Sequence, residues 1–168
     1  MYATSSVSTS GPMSQPRWAP KIVIDPVSVC MGMVYGDPQS RRLIDLCREG
    51  RCIPLVCDDT VSELCQALSS PFFSHPPKDT RKSMLRDFVR LSRRLRITGR
   101  APGSAPVPEG MASVLLAMAG QAQVLITPRP EAVPRAAGMN FKVMTPAAFL
   151  SELVPDVHFV AQRRPALH

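Results

Sequence analysis

The segment KIVID, residues 21–25, is the stretch from which the fold of this chain can be predicted. Ile22, Val23 and Ile24 are consecutive β-branched residues, which favour a strand, and an unbroken apolar strand is typical of a parallel sheet covered on both faces. Pro26 lacks the N–H group that a central strand needs, so the strand is expected to end on Asp25. Ligands of open α/β sheets bind at the carboxyl ends of the strands. Asp25 is therefore the first candidate functional residue.

Strands and helices are predicted to alternate along the rest of the chain. Asp37-Pro38 predicts a helix N-terminus, with Asp37 as the N-cap, and Asp58 or Asp59 is expected to cap a later helix. This alternation, without internal repeats, predicts an α/β fold in which helices cover both faces of a central parallel sheet. The predicted strands are 21–25, 52–57, 95–98, 124–127 and 141–144, and the predicted helices are 28–35, 38–49, 58–68, 80–94, 111–119 and 146–153, with an irregular loop at 99–110.

Length and composition indicate one domain at residues 21–154. The chain has 168 residues, of which 45% are hydrophobic, enough for one α/β core. Residues 1–20 are rich in Ser, Thr and Pro, which predicts a disordered leader, and 155–168 are interpreted as a C-terminal tail. No uncharged apolar run is long enough to span a membrane, so we expect no membrane association.

The charge and the cysteines suggest a partner and a location. The net charge of +7 favours polyanions such as RNA over acidic proteins. Arg86, Arg90 and Arg93 recur at helical spacing, which is compatible with a solvated helix face or with RNA contact. Five cysteines without metal-ligand spacing are typical of reduced thiols in a cytoplasmic protein.

Common catalytic motifs are missing from the sequence, which leaves acidic residues at strand ends. No glycine-rich phosphate-binding motif follows a strand, and no serine nucleophile elbow occurs. Glu63 lies near the beginning of a helix that follows a strand, off the apolar stripe of that helix. If the two strands are parallel neighbours, Glu63 lies at the same edge of the sheet as Asp25.

In the order and spacing of four segments, residues 21–154 resemble the PIN domain family, particularly the toxin components of bacterial toxin–antitoxin pairs. The resemblance implies a sandwich of helices around a parallel sheet. It also implies a cluster of carboxylates that holds Mg²⁺ or Mn²⁺ to hydrolyse single-stranded RNA, an antitoxin-like protein partner and a possible homodimer. The four segments are KIVID (21–25), LVCDDTVSELCQAL (55–68), LLAMAGQAQVLITPRP (115–130) and VMTPAAFLSEL (143–153).

Residue by residue, the resemblance retains only part of the acidic site. Asp25 and Glu63 match the first two acidic positions and are the expected metal ligands. Met111 stands where the third acid is expected, with Glu109 as a nearby substitute, and Arg129 replaces the fourth. Since a guanidinium cannot bind a metal, we hypothesise that Arg129 pairs with Asp25 or Glu63 in place of the metal's charge.

Three functions follow from this pattern as hypotheses: a nuclease, a protein that binds RNA without cutting it, and a protein that binds a protein partner. The first expectation is a PIN-like protein with weakened or lost catalysis that acts by binding RNA or a protein partner. The alternative is an active Mg²⁺-dependent endoribonuclease, the toxin of a toxin–antitoxin pair, in which Asp25, Glu63 and Glu109 are catalytic. Hard divalent cations prefer carboxylate and water ligands, which is the chemistry that such a cluster would supply.

Overall fold

The computed structural model describes residues 19–73, 75–97, 105 and 107–153. Residues 19 and 20 belong to neither a helix nor a strand. The predictions for the rest of the leader, for residues 98–104 and 106, and for the tail concern residues outside these ranges.

Within the described residues, five strands alternate with six α-helices, which confirms the predicted α/β class. The strands are β1 (Lys21–Ile24), β2 (Ile53–Val56), β3 (Arg93–Arg94), β4 (Val124–Ile126) and β5 (Lys142–Met144). The helices are α1 (Pro26–Cys30), which continues as a π-helix (Met31–Tyr35), α2 (Pro38–Arg48), α3 (Asp58–Ser69), α4 (Lys78–Leu91), α5 (Met111–Ala119) and α6 (Pro146–Leu153), with short 3₁₀ helices at Pro71–Phe73 and Pro130–Ala132. None of these helices is long and apolar enough to cross a membrane.

The sheet is parallel throughout, with the strand order β3-β2-β1-β4-β5. The chain moves outward from β1 through β2 to β3, and then returns to the other side of β1 to add β4 and β5. The direction of winding therefore reverses beside β1, where Ile24 pairs with Ile126. Such a reversal opens a crevice at the carboxyl ends of the strands, which is where α/β sheets bind ligands. Asp25 follows directly at this point.

Two apolar clusters cover the two faces of the sheet. Alternate residues of a strand point to opposite faces, so Ile22 and Ile24 belong to one cluster and Val23 to the other. The first cluster takes its buried side chains from α1 to α4 and α6, whereas α5 supplies Val114 and Leu116 to the second. Helices therefore lie on both faces, as predicted.

Two helix starts differ from the prediction. The helix after β1 begins at Pro26 rather than Ser28, because Asp25 itself caps it and proline fits the first helical position. The helix after β2 is capped by Cys57, not by Asp58 or Asp59. The N–H of Cys57 donates to Oγ1 of Thr60 at 2.9 Å, and both aspartates lie in the first turn, where the helix dipole favours negative charge.

The predicted helix 80–94 was too long at its C-terminal end. It begins at Lys78 and ends at Leu91, because Ser92 is extended and Arg93 and Arg94 pair with β2 as the edge strand. The predicted strand at 95–98 therefore lies two residues earlier in the structure. As a result, Arg93 does not share a helix face with Arg86 and Arg90.

Thiol exposure gives a first prediction, because four of the five cysteines are buried and Cys65 is exposed. Burial, with a smaller effect from the Asp25 carboxylate, raises the pKa of Cys30 to about 12, and burial raises that of Cys52 to about 11. The thiolate is the reactive form, so buried neutral thiols react slowly. We expect one thiol per folded chain to react quickly with Ellman's reagent, and Cys65→Ser to abolish this reaction. Rapid labelling of a second thiol under native conditions would contradict this arrangement.

Candidate functional site

A cleft of about 660 Å³ lies at the carboxyl ends of β1 and β4. Four carboxylates line it: one follows β1, two belong to α3, and one lies in the segment before α5. We call this the acidic cleft and define it by Asp25, Asp59, Glu63, Glu109, Ser113 and Arg129. The structure thus places the predicted residues Asp25, Glu63, Glu109 and Arg129 around one space.

Asp25 is held by hydrogen bonds from both neighbouring elements. Its Oδ1 accepts from the N–H of Val27 at 2.7 Å, the capping bond of α1, and its Oδ2 accepts from the buried hydroxyl of Thr127 at 3.3 Å. Burial raises the pKa of Asp25, and Glu109 raises it further, while Val27, Thr127 and the charge of Arg129 oppose this rise. Thr127 is a functional contact that the sequence alone did not identify, because it depends on the pairing of β1 with β4.

Glu63 projects from α3 into the same cleft. Its pKa is raised by burial first and then by the negative charges of Asp25, Asp59 and Glu109. Like charges close together each make ionisation of the others less favourable. Glu63 therefore lies within the electrostatic field of three other carboxylates that line the cleft.

Asp59 is a site residue that the sequence reasoning missed. The sequence predicts that either Asp58 or Asp59 caps α3, yet neither does, and their side chains lie in different surroundings. Asp58 accepts from Arg94 at 2.7 Å, in an exposed ion pair beside the edge strand, whereas Asp59 lines the acidic cleft. The sequence signal that could have identified Asp59 is its position in the first turn of a helix that follows a buried strand, close to the carboxyl end of that strand.

Arg129 lies in the cleft without the direct pairing that we hypothesised. Its backbone N–H donates to Oγ1 of Thr127 at 3.3 Å, and its charge lowers the pKa of Asp25. In the described part of the chain, however, no ion pair within 4.0 Å joins Arg129 to Asp25 or Glu63. The guanidinium is exposed and acts on the carboxylates from a distance.

The other residues predicted from the sequence lie at the rim of the cleft or outside it. Met111 begins α5 as predicted, but its side chain is half-buried and packs against the second apolar cluster. Glu109 is exposed at the rim of the cleft, while Arg86, Arg90 and Arg93 are exposed and lie outside its lining.

Carboxylate oxygens suit Mg²⁺ and Mn²⁺, so the chemistry of the cleft fits the cation that the PIN resemblance implies. The geometry fits only in part, because no three acidic, histidine or cysteine side chains of the described residues are placed to hold one metal ion together. Mg²⁺ is often bound through one or two carboxylates, with water filling the remaining positions. Asp25 and Glu63 are the residues that would hold such an ion.

The raised pKa of Glu63 predicts how stability changes with pH. A carboxyl group whose pKa is higher in the folded state binds its proton more tightly there, so its stabilising effect is present at low pH and is lost as pH rises above 4.5. We expect Glu63→Gln to raise the Tm at pH 7 in EDTA by about 1–3 °C, and to leave it nearly unchanged at pH 4. Asp87→Asn, an exposed site on α4, is the control. A lower Tm for Glu63→Gln at pH 7 would contradict the proposed repulsion.

Evidence for the function of this chain comes from the fold and the acidic cleft. The reversal of winding beside β1 brings Asp25 and Glu63 to one edge of the sheet, and Asp59 and Glu109 complete the carboxylate group. No protein-family model matches the chain, and no curated protein matches it significantly.

Proposed function

We propose that this protein is a PIN-like relative of the metal-dependent endoribonucleases that cut single-stranded RNA, with weakened catalysis and with RNA binding as its main activity. The observation that carries the proposal is the convergence of Asp25 and Glu63, with Asp59 and Glu109, at the carboxyl edge of a parallel sheet. Carboxyl groups with raised pKa values in a cleft are typical of functional sites. The net charge of +7 supports a polyanionic ligand.

The roles of the residues follow from their positions. Asp25 and Glu63 would hold Mg²⁺ or Mn²⁺, which when bound supplies an activated water and neutralises charge on the scissile phosphate. Thr127 positions the Asp25 carboxylate by donating its hydroxyl hydrogen. The exposed Arg86, Arg90 and Arg93 are proposed to add weaker, non-specific contacts to the RNA backbone.

Two substitutions account for the weakened catalysis in this proposal. Met111 offers a half-buried thioether, packed against the second apolar cluster, where a third carboxylate would be needed. Arg129 places a positive charge in the cleft, and this charge opposes cation binding. A metal held by two carboxylates keeps more of its water and binds less tightly.

Asp59 favours one alternative, an active Mg²⁺-dependent endoribonuclease that serves as the toxin of a toxin–antitoxin pair. It adds a carboxylate to the cleft in the first turn of α3. If Asp59 takes over the part of a missing acid, the two substitutions need not abolish cleavage. Hydrolysis of single-stranded RNA that depends on Mn²⁺ and on Asp59 would favour this alternative.

The test of the proposal is the binding of Mn²⁺ and Mg²⁺, measured by isothermal titration calorimetry at moderate salt. We expect weak Mn²⁺ binding by the native chain, and a loss of at least about tenfold in affinity in Asp25→Asn, which removes the charge but retains a side chain able to cap α1. Asp87→Asn on α4 should bind Mn²⁺ like the native protein. If the folded native chain binds neither cation, the metal-dependent ancestry of the site loses its support.

A further inference from the structure

The first turn of α5 contributes to the lining of the acidic cleft. Gly110 is the N-cap of α5 and provides no side-chain cap, and the first turn contains no acidic residue. Unpaired N–H groups and the helix dipole make such an end favourable for anions. The N–H of Met111 donates to Pro108 and that of Val114 to Gly110, whereas the N–H groups of Ala112 and Ser113 have no partner among the described residues.

Ser113 supplies a second, independent sign of a ligand. It lies in the first turn of α5, lines the cleft and is only 2% exposed. Its Oγ has no hydrogen-bond partner among the described residues. A buried hydroxyl without a partner loses its interactions with water and gains none, so such groups are usually satisfied by a bound molecule or water.

Arg129, which follows β4, also lines the acidic cleft. It follows Thr127 by two residues, lines the cleft and carries a fixed positive charge that reaches Asp25. Glu109 lies just before α5 and is exposed, and its negative charge raises the pKa values of Asp25 and Glu63. The cleft therefore contains the N-terminal turn of α5, a hydroxyl and a guanidinium as well as the carboxylates.

We propose that the first turn of α5, with Ser113 and Arg129, binds a phosphate group of single-stranded RNA. This inference rests on the proposed RNA-binding function and adds the atoms that would contact the phosphodiester. The hydroxyl and the N–H groups donate hydrogen bonds to phosphate oxygens, and the guanidinium neutralises their charge.

The test measures binding of a fluorescein-labelled ten-nucleotide single-stranded RNA by anisotropy, in EDTA, so that no divalent cation contributes. We expect Ser113→Ala to weaken binding about tenfold, as removing a hydrogen bond to a charged group does. Arg129→Gln should weaken binding and lower the slope of log affinity against log salt by about one ion. The matched control is Ser28→Ala, which removes another buried hydroxyl without a partner among the described residues, from a site outside the cleft lining.

A second measurement locates the anion directly. In a ¹⁵N–¹H spectrum of the native chain, inorganic phosphate should shift the amide signals of Ala112 and Ser113, and the shifts should be lost in Ser113→Ala. A Ser113→Ala protein that is folded, binds RNA like the native chain and shows the same phosphate shifts would overturn the inference, as would a native chain that binds neither probe.

The two proposals can fail separately. Binding of RNA in EDTA that depends on Ser113, together with no binding of Mn²⁺, would support the phosphate site and count against the metal-dependent ancestry. Mn²⁺ binding that depends on Asp25, together with an RNA affinity that is unchanged in Ser113→Ala, would support the metal site and count against the phosphate site.

Discussion

Replacing Arg129 with aspartate should increase the affinity of the protein for Mn²⁺ by about tenfold or more. Arg129 lines the acidic cleft, and its positive charge already lowers the pKa of Asp25. The field that stabilises the Asp25 carboxylate also repels a divalent cation, and the substitution reverses it. An interaction of about 1.4–2.8 kcal/mol between such charges corresponds to a change of about ten- to a hundredfold in affinity. Isothermal titration calorimetry of the native and variant proteins measures the effect.

Charge-neutralising and control variants make this prediction sharper. Arg129→Gln should give a smaller gain than Arg129→Asp, since it removes one charge instead of reversing it. Arg135→Gln removes a positive charge from an exposed residue outside the cleft lining and should leave Mn²⁺ affinity unchanged. If Arg129→Asp is folded and binds Mn²⁺ no better than the native chain, Arg129 does not oppose the cation.

Arg129→Asp and Arg129→Gln should both lower the affinity of the protein for RNA in EDTA. Arg129 cannot favour both ligands, because it attracts a phosphate and repels a cation. An exchange of RNA affinity for Mn²⁺ affinity in Arg129→Asp would therefore show that this one residue sets the balance between the two ligands. A loss of both affinities would instead indicate damage to the end of β4, where Thr127 holds Asp25.

The sequence was sufficient to predict the central strand and the convergence of Asp25 with Glu63. Three β-branched residues followed by Asp-Pro allow few alternatives, and parallel neighbouring strands bring their carboxyl ends together. Local pattern could not separate Asp58 from Asp59, because adjacent residues at a helix start differ only in the direction of their side chains.

Other parts of the site depend on contacts between distant segments. Thr127 reaches Asp25 across 102 residues of sequence because β4 pairs directly with β1. Arg93 looked like a helical residue because arginine is a good helix former, yet pairing with β2 holds it in the edge strand. The apolar packing of Met111 shows the same limit, since its helical position was predictable and its neighbours were not.

Replacing Gly32 with alanine should lower the stability of the protein by about 1–3 kcal/mol, or roughly 3–10 °C in Tm. Gly32 is buried in the π-helix that continues α1, where this helix crosses α2. A Cβ atom at this position would lie 2.8 Å from the backbone carbonyl carbon and oxygen of Ser40, and 2.8 Å from Cδ1 of Ile44. Side chains can rotate away, but the backbone of α2 cannot yield without separating the two helices. Thermal unfolding followed by circular dichroism measures the loss.

The matched control is Gly50→Ala, which adds the same methyl group where no atom lies within 4 Å. Gly50 has a φ of 72°, so its substitution costs about 1–2 kcal/mol of backbone strain without any clash. Because Asp25 caps α1, a displacement of this helix should also weaken Mn²⁺ binding in Gly32→Ala, whereas Gly50→Ala should lose stability alone. Equal Mn²⁺ affinities in the two folded variants would show that the packing of α1 on α2 does not position the Asp25 carboxylate.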